Sequence, residues 1–322
     1  MVFAATVFVL FVGFTWDRVW DIPLPNLHAS ADPAVIARGE SLVRGPAHCG
    51  ICHISGPQEY VRAVEAGTTP PLAGGMPLSL GPLGTLYAAN LTPDRETGIG
   101  RYTDPQIARM LRHGVRPDGV ASIPLIMPYG DMSEDDVVAV LSYLRAQPPV
   151  RRVVPTNDWT LVGKVVKSFA EVTKPRFEVN PPATAPPEAP TVERGRYLAM
   201  SVANCAGCHS PIDEASGRVT GPLLSGGITL MEPAPFPEVD MSRWFMAPNI
   251  TPLTGSALRR FPDCATFVAR FKVGGRSKHP GSPMPWELFS RMSEDDLGAV
   301  CAFLLTEPAS GSPAPEDPTV QP

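Results

Sequence analysis

Four of the six cysteines fall into two Cys-x-x-Cys pairs, and a histidine follows each pair directly: Cys49-Gly-Ile-Cys-His53 and Cys205-Ala-Gly-Cys-His209. Such pairs serve a metal site, a redox dithiol or covalent haem attachment, and the residue after the pair discriminates among these. A redox dithiol has no need of the histidine. A zinc ribbon would have to gather Cys49, Cys52, Cys205 and Cys208 from corresponding places of two repeated segments. Attachment of c-type haem uses every residue of the motif. One helical turn presents both thiols to the vinyl groups at one porphyrin edge, and the adjacent histidine reaches the iron as proximal ligand. The expectation is two covalently bound haems c, on Cys49 and Cys52 and on Cys205 and Cys208, with His53 and His209 as axial ligands.

A low-spin electron carrier needs a second axial ligand, and a methionine thioether raises the potential. Of the eleven methionines, Met127 and Met284 are each followed by proline and lie 74 and 75 residues after His53 and His209. They are the expected ligands. Met132 and Met292 also repeat, but each precedes a helix-capping serine, where an apolar staple belongs, and they stand second. Met76 and Met110 have no counterparts and read as core or surface. His48 is expected to be exposed, His113 to end a helix as a favourable cation, and His279 to lie in a surface loop. Cys264 and Cys301 fall on helices of the second half. Cys301 aligns with Leu141 and reads as a small buried hydrophobe, with a Cys264–Cys301 disulfide as the alternative in an oxidising compartment.

The motifs sit inside a duplication. Arg38-Gly39 precedes the first motif by the same eleven residues that separate Arg194-Gly195 from the second. Asn90-Leu-Thr-Pro93 recurs as Asn249-Ile-Thr-Pro252, Met127-Pro-Tyr129 as Met284-Pro-Trp286, and Met132-Ser-Glu-Asp-Asp136 as Met292-Ser-Glu-Asp-Asp296. The order is kept at offsets of 156 to 160 residues, which means two copies of one domain. Each copy opens with a helix, at Pro33 in the first, and has a helix at 104–113 or 263–272. Each closes with a helix capped by Ser133 or Ser293, with acidic residues in its first turn. The expected organisation is a membrane anchor or signal segment over 1–20, a tether over 21–32 and a haem domain over 33–150. A connector follows over 151–192, then a second haem domain over 193–308 and a disordered tail over 309–322.

Composition bounds the rest. Hydrophobic residues make up 43% and charged residues 18%, which excludes wholesale disorder. The net charge of −5 gives no basic surplus for nucleic acid. Thirty-nine prolines against 28 glycines predict loop-rich domains with short helices and little regular sheet. The first sixteen residues carry no charge, fewer than the about 20 apolar residues of a full span. Ala29-Ser30-Ala31 resembles a cleavage site but lies well beyond the apolar run, so an uncleaved anchor is favoured over a removed signal. In the connector, Leu161, Val162, Val165, Val166 and Phe169 recur at helical spacing, with Lys164 and Lys167 elsewhere on the wheel. A helix packing that stripe on a domain is expected, with membrane or partner contact as the alternative. Six prolines over 174–192 read as a semi-rigid strap.

The Cys-x-x-Cys-His motifs, the run Asn-Leu-Thr-Pro-Asp-Arg-Glu-Thr-Gly-Ile-Gly over 90–100, Met-Pro-Tyr and the closing capped helix resemble class I cytochrome c domains. Over roughly 33–308 the chain is similar to the cytochrome c subunits of membrane-bound alcohol and gluconate dehydrogenases. The second copy departs with Leu253-Thr-Gly-Ser256. The resemblance implies an all-α fold of two tandem class I cytochrome c domains. It implies an electron-carrier subunit rather than an enzyme, on the periplasmic or outer face of the cytoplasmic membrane. Its partners would be dehydrogenase subunits or another membrane redox complex. A dihaem enzyme of peroxidase or thiosulfate-oxidising type, with one catalytic haem, is the alternative reading.

Overall fold

Among the described residues no helix is longer than 14 residues. The computed structural model describes residues 2–56, 59, 62–63, 66, 68–213, 216–227, 229–230, 245–273 and 284–306. His279 and the expected tail over 309–322 lie outside them. The chain divides into two compact units, Met1–Gly39 with Cys49–Pro182, and Glu40–His48 with Ala183–Pro322. The division falls inside the expected connector and groups a short piece before the first motif with the second unit.

The helices are α1 (Val2–Thr15), α2 (Pro33–Arg44), α3 (Asp104–His113), α4 (Glu134–Ala146), α5 (Leu161–Phe169), α6 (Val192–Tyr197), α7 (Cys205–His209), α8 (Cys264–Val273), α9 (Trp286–Phe289) and α10 (Glu294–Thr306). Ser133 caps α4 by accepting from the Asp136 amide, and Ser293 does the same for Asp296 at 3.0 Å, as the repeated Ser-Glu-Asp-Asp run predicts. A small antiparallel sheet supplements the helices. Strands β1 (Pro77–Ser79), β2 (Gly84–Tyr87) and β3 (Asp158–Trp159) pair in that order, with Leu78 opposite Leu86 and Gly84 opposite Trp159. In the second unit β4 (Thr229–Leu230) pairs with β5 (Phe245–Met246). The described residues are mostly helical, and the strands are minor additions beside the helices. Strands of two to four residues, one of them led by proline, carry no alternation from which to read them.

Two segments expected to stand apart are bound to the first unit. Over 21–32, the Ala29 amide donates to Asp104 Oδ2 at 2.8 Å, the Ser30 amide to Ser142 Oγ at 2.7 Å, and Leu27 is buried. The later residues of this stretch are fastened to α3 and α4. After α1, Trp16 packs on the cluster of Leu86, Ile123 and Trp159, and the Trp20 amide donates to the Gly119 carbonyl at 2.9 Å. No helix among the described residues is long and apolar enough to cross a membrane.

The connector helix α5 is formed but faces the other way from expectation. Gly163 and Lys167 are buried, while Leu161, Val162 and Phe169 are exposed. The inward face is set by close approach: a Cβ on Gly163 would lie 2.0 Å from the Leu83 carbonyl oxygen and 2.9 Å from the Trp159 ring. Only a residue without a side chain fits there, so Leu161, Val162 and Phe169 are turned outward, while Val165 and Val166 are half-buried.

In the second unit Cys264 and Cys301 form a disulfide, with Cα atoms 5.6 Å apart, joining α8 to α10. Cys301 is indeed fully buried, but as half of a covalent bond. The bond closes a sequence separation of 37 residues. Constraining an unfolded loop of that size contributes about 3–4 kcal/mol. The double variant Cys264→Ala/Cys301→Ala is expected to lose that stability in the second unit alone. A denaturant titration followed by probes in each unit checks it, and an unchanged second-unit midpoint would contradict the assignment.

Candidate metal centres

The first motif is a single turn. Cys49–Ile51 is a 3₁₀ turn, and the amides of Cys52 and His53 both donate to the Cys49 carbonyl, at 3.3 and 3.0 Å. The second motif is α7 itself. None of Cys49, Cys52, Cys205 and Cys208 is in a disulfide. Burial pushes the Cys52 thiol up to about 11 and Cys205 up to about 12. Among the described residues, no three His, Cys, Asp or Glu side chains cluster as a metal cage.

Each motif histidine is held by a backbone carbonyl. His53 Nδ1 lies 2.8 Å from the Ala89 carbonyl oxygen, and His209 Nδ1 lies 2.8 Å from that of Pro248. A carbonyl only accepts, so Nδ1 carries the proton and Nε2 keeps its lone pair, the tautomer that ligates a metal. Burial lowers the pKa of both rings, which favours the neutral form.

Ala89 and Pro248 are the residues immediately before the repeated Asn-x-Thr-Pro, and that motif explains their position. Asn90 Oδ1 accepts from the Thr92 amide at 2.9 Å and its hydroxyl at 2.7 Å, and Asn249 Oδ1 does so from Thr251 at 2.8 and 2.7 Å. These side-chain turns fix the chain just beyond the accepting carbonyl. On its other side the Gly74 amide donates to the His53 carbonyl at 3.1 Å, and Gly226 to that of His209 at 2.7 Å. Both glycines have positive φ (+68° and +83°), and a Cβ on Gly74 would lie 2.4 Å from Ala89.

The Met-Pro-Tyr loop meets the first motif through Tyr129, which is buried and hydrogen-bonded to the Cys49 side chain. Met127 lies two residues earlier, half-buried, at the end of the 3₁₀ turn Pro124–Ile126. Its carbonyl accepts from the Tyr129 amide at 3.0 Å and from the Arg176 guanidinium. Met284, also half-buried, leads into α9, and its carbonyl accepts from the Trp286 amide at 2.9 Å. Met132 and Met292 are buried. His48, expected on the surface, is half-buried, with Nδ1 2.9 Å from the Pro46 carbonyl oxygen. His113 ends α3, and its Nδ1 lies 2.7 Å from the Arg176 carbonyl oxygen.

Sequence reasoning missed a repeated basic clasp. Arg112 donates to the carbonyls of Gly130, at 3.0 Å, and Met132. Lys272, at the same repeat position, donates to those of Ser290 at 3.3 Å and Met292 at 2.5 Å. Each fastens the loop that follows Met127 or Met284. The signal was present in the spacing: 112 and 272 share the offset of Met132 and Met292.

No protein-family model matches the chain. Among curated proteins, the gluconate 2-dehydrogenase cytochrome c subunit of Pantoea cypripedii is 34% identical over 188 residues, covering 56% of this chain and 39% of that protein. The cytochrome c subunit of the alcohol dehydrogenase (quinone) of Gluconobacter oxydans (strain 621H) is 28% identical over 299 residues, covering 87% and 56%. The chain is similar to cytochrome c subunits of dehydrogenases. A diheme cytochrome c-type protein of Cereibacter sphaeroides is 29% identical over 192 residues, 56% of this chain and 57% of that protein. The chain thus spans between about two fifths and three fifths of the length of these cytochrome relatives.

Proposed function

We propose that this chain is an electron-carrying cytochrome c with two covalently attached haems, set on the outer face of the cytoplasmic membrane and supplied with electrons by a dehydrogenase subunit. The observation that carries the reading is the histidine built twice in the same way, with Nδ1 committed to the carbonyl before Asn-x-Thr-Pro and Nε2 left to ligate. The donor set fits haem c: two thiols outside any disulfide on one turn, followed by a histidine of the right tautomer.

When bound, haem supplies one-electron ferric/ferrous chemistry. Cys49, Cys52, Cys205 and Cys208 would hold it, His53 and His209 would ligate it, and Met127 and Met284 would complete the axial sets. Arg176, Arg112 and Lys272 hold the backbone around these methionines. A carrier role, with substrate oxidation left to a partner, agrees with the names of the relatives. An oxidising compartment agrees with the Cys264–Cys301 bond. Attachment to the membrane is supported by the exposed apolar side chains of α1.

The intact mass of protein produced with haem-attachment machinery tests the proposal. Two haem increments are expected, and one or none sinks it. On the same protein, Met127→Ala and Met284→Ala are each expected to halve the weak near-infrared sulfur-to-iron band. If Met132→Ala and Met292→Ala do so instead, the ligand assignment is wrong.

A further inference from the structure

We propose that the outward face of α5, with α1, rests on an anionic phospholipid surface, and that a cationic cavity beside them takes a lipid headgroup phosphate. This rests on the membrane attachment proposed above and adds to it a second contact element and a headgroup site.

Helix α5 is amphipathic in the wrong sense for water. Its apolar side chains Leu161, Val162 and Phe169 are exposed, whereas Lys167 is more than nine-tenths buried. The surface continues onto α1, where Phe8 and Phe11 stack on Phe169 with ring centroids 6.2 and 5.3 Å away. Phe3, Val9, Leu10 and Phe14 of α1 are also exposed. A contiguous apolar surface of this kind marks an interaction site.

Aromatic and basic groups collect at its edge. Lys164 lies over the Trp16 ring at 4.7 Å, Lys167 lies 5.5 Å from Trp16 and 5.2 Å from Trp159, and the Arg18 guanidinium lies 3.4 Å from the Trp20 ring centre. Tryptophan and basic side chains beside an apolar face are the pattern of the headgroup level of a bilayer. Here they bound a cavity of about 130 Å³, lined by Arg18, Lys167 and Lys174 together with Trp16, Thr15 and Ser168. Among the described residues Lys167 has no carboxylate or hydrogen-bonding partner. Asp17 and Asp118 act on it at longer range, and Asp118 is already paired with Arg116. Burial lowers the Lys167 pKa to about 8. A largely buried cation held against aromatic rings without a paired carboxylate carries a desolvation cost, and an anion in the cavity would relieve it. The surplus of positive charge favours anionic lipid over a neutral surface.

The test is co-flotation of the full-length haem-loaded protein with vesicles of phosphatidylglycerol in phosphatidylcholine, or of phosphatidylcholine alone. The variants are Leu161→Ser/Val162→Ser, on the exposed face, and Lys167→Met, which keeps the shape of the buried stem. Wild type is expected to prefer the anionic vesicles, and Lys167→Met to bind them about fivefold more weakly. Lys167→Met is also expected to melt about 3 °C higher, because the desolvation cost of a charge without a counter-ion is gone. The serine pair is expected to weaken binding to both kinds of vesicle.

Equal binding of all proteins to both vesicles overturns the proposal while leaving attachment through α1 intact. No binding by wild type removes both, as when another protein covers this face. Displacement by inorganic phosphate, without preference for anionic vesicles, assigns the cavity to free phosphate and overturns the lipid site.

Discussion

Gly195→Ala, and Gly39→Ala in the first unit, are expected to destabilise their units by about 3 kcal/mol or more, although alanine is the better helix former by about 1 kcal/mol. A Cβ on Gly39 of α2 would lie 1.9 Å from the Ala139 carbonyl oxygen, and one on Gly195 of α6 would lie 1.9 Å from that of Ala299. The next obstacles are a backbone carbon and the Cβ of Tyr143 or Phe303, so no flexible side chain can step aside. The opening and closing helices of each copy cross in contact, and a methyl group forces them apart along the whole crossing. Chemical denaturation with probes in each unit would read the effect. A neutral or positive change in stability would mean that the helices do not cross at these residues.

The residue before each glycine gives the second large effect. Arg38 pairs with Asp136 through two bonds of 2.9 and 3.0 Å, and Arg194 with Asp296 through two of 2.8 and 3.1 Å. Burial separates the two pairs. The Arg38 side chain is 26% exposed and that of Arg194 only 2%. After Asp136→Ala, Arg38 can turn to water, and the expected loss is about 1 kcal/mol. After Asp296→Ala, Arg194 keeps the Pro186 carbonyl at 2.9 Å but remains a buried charge without a counter-ion. That loss is expected to be about 3–5 kcal/mol. Equal losses in the two variants would refute an argument based on burial.

These positions show what the sequence could and could not disclose. The repeated Arg-Gly, Asn-x-Thr-Pro and Ser-Glu-Asp-Asp runs stand out from spacing alone. The last explains itself, because helix caps are local. The roles of the first two required partners about 40 to 100 residues away: Ala139 and Asp136 for Arg38-Gly39, and His53 for the turn beginning at Asn90. The motif turns were readable because each proposed thiol pair and its histidine are contiguous in the chain. Helix α5 was readable as a helix, but its orientation was not. Periodicity reports which residues share a face, whereas the inward face here was decided by a glycine against the Leu83 carbonyl. The β1–β3 sheet left no trace because its strands are too short for a period.

The single disulfide has a consequence for the order of events during maturation. Six thiols allow 15 complete pairings, and the fold uses one bond, between cysteines separated by 37 residues. In an unfolded chain short loops close more readily. Oxidation before folding would therefore favour Cys49 with Cys52 and Cys205 with Cys208, the two unions that would block the haem attachment proposed above. Folding first reverses the preference for Cys264 and Cys301, because the crossing of α8 and α10 brings their Cα atoms to 5.6 Å. A route that leads to the proposed attachment would bring α8 against α10 before oxidant reaches the chain, and would keep both Cys-x-x-Cys pairs reduced until haem is joined to them.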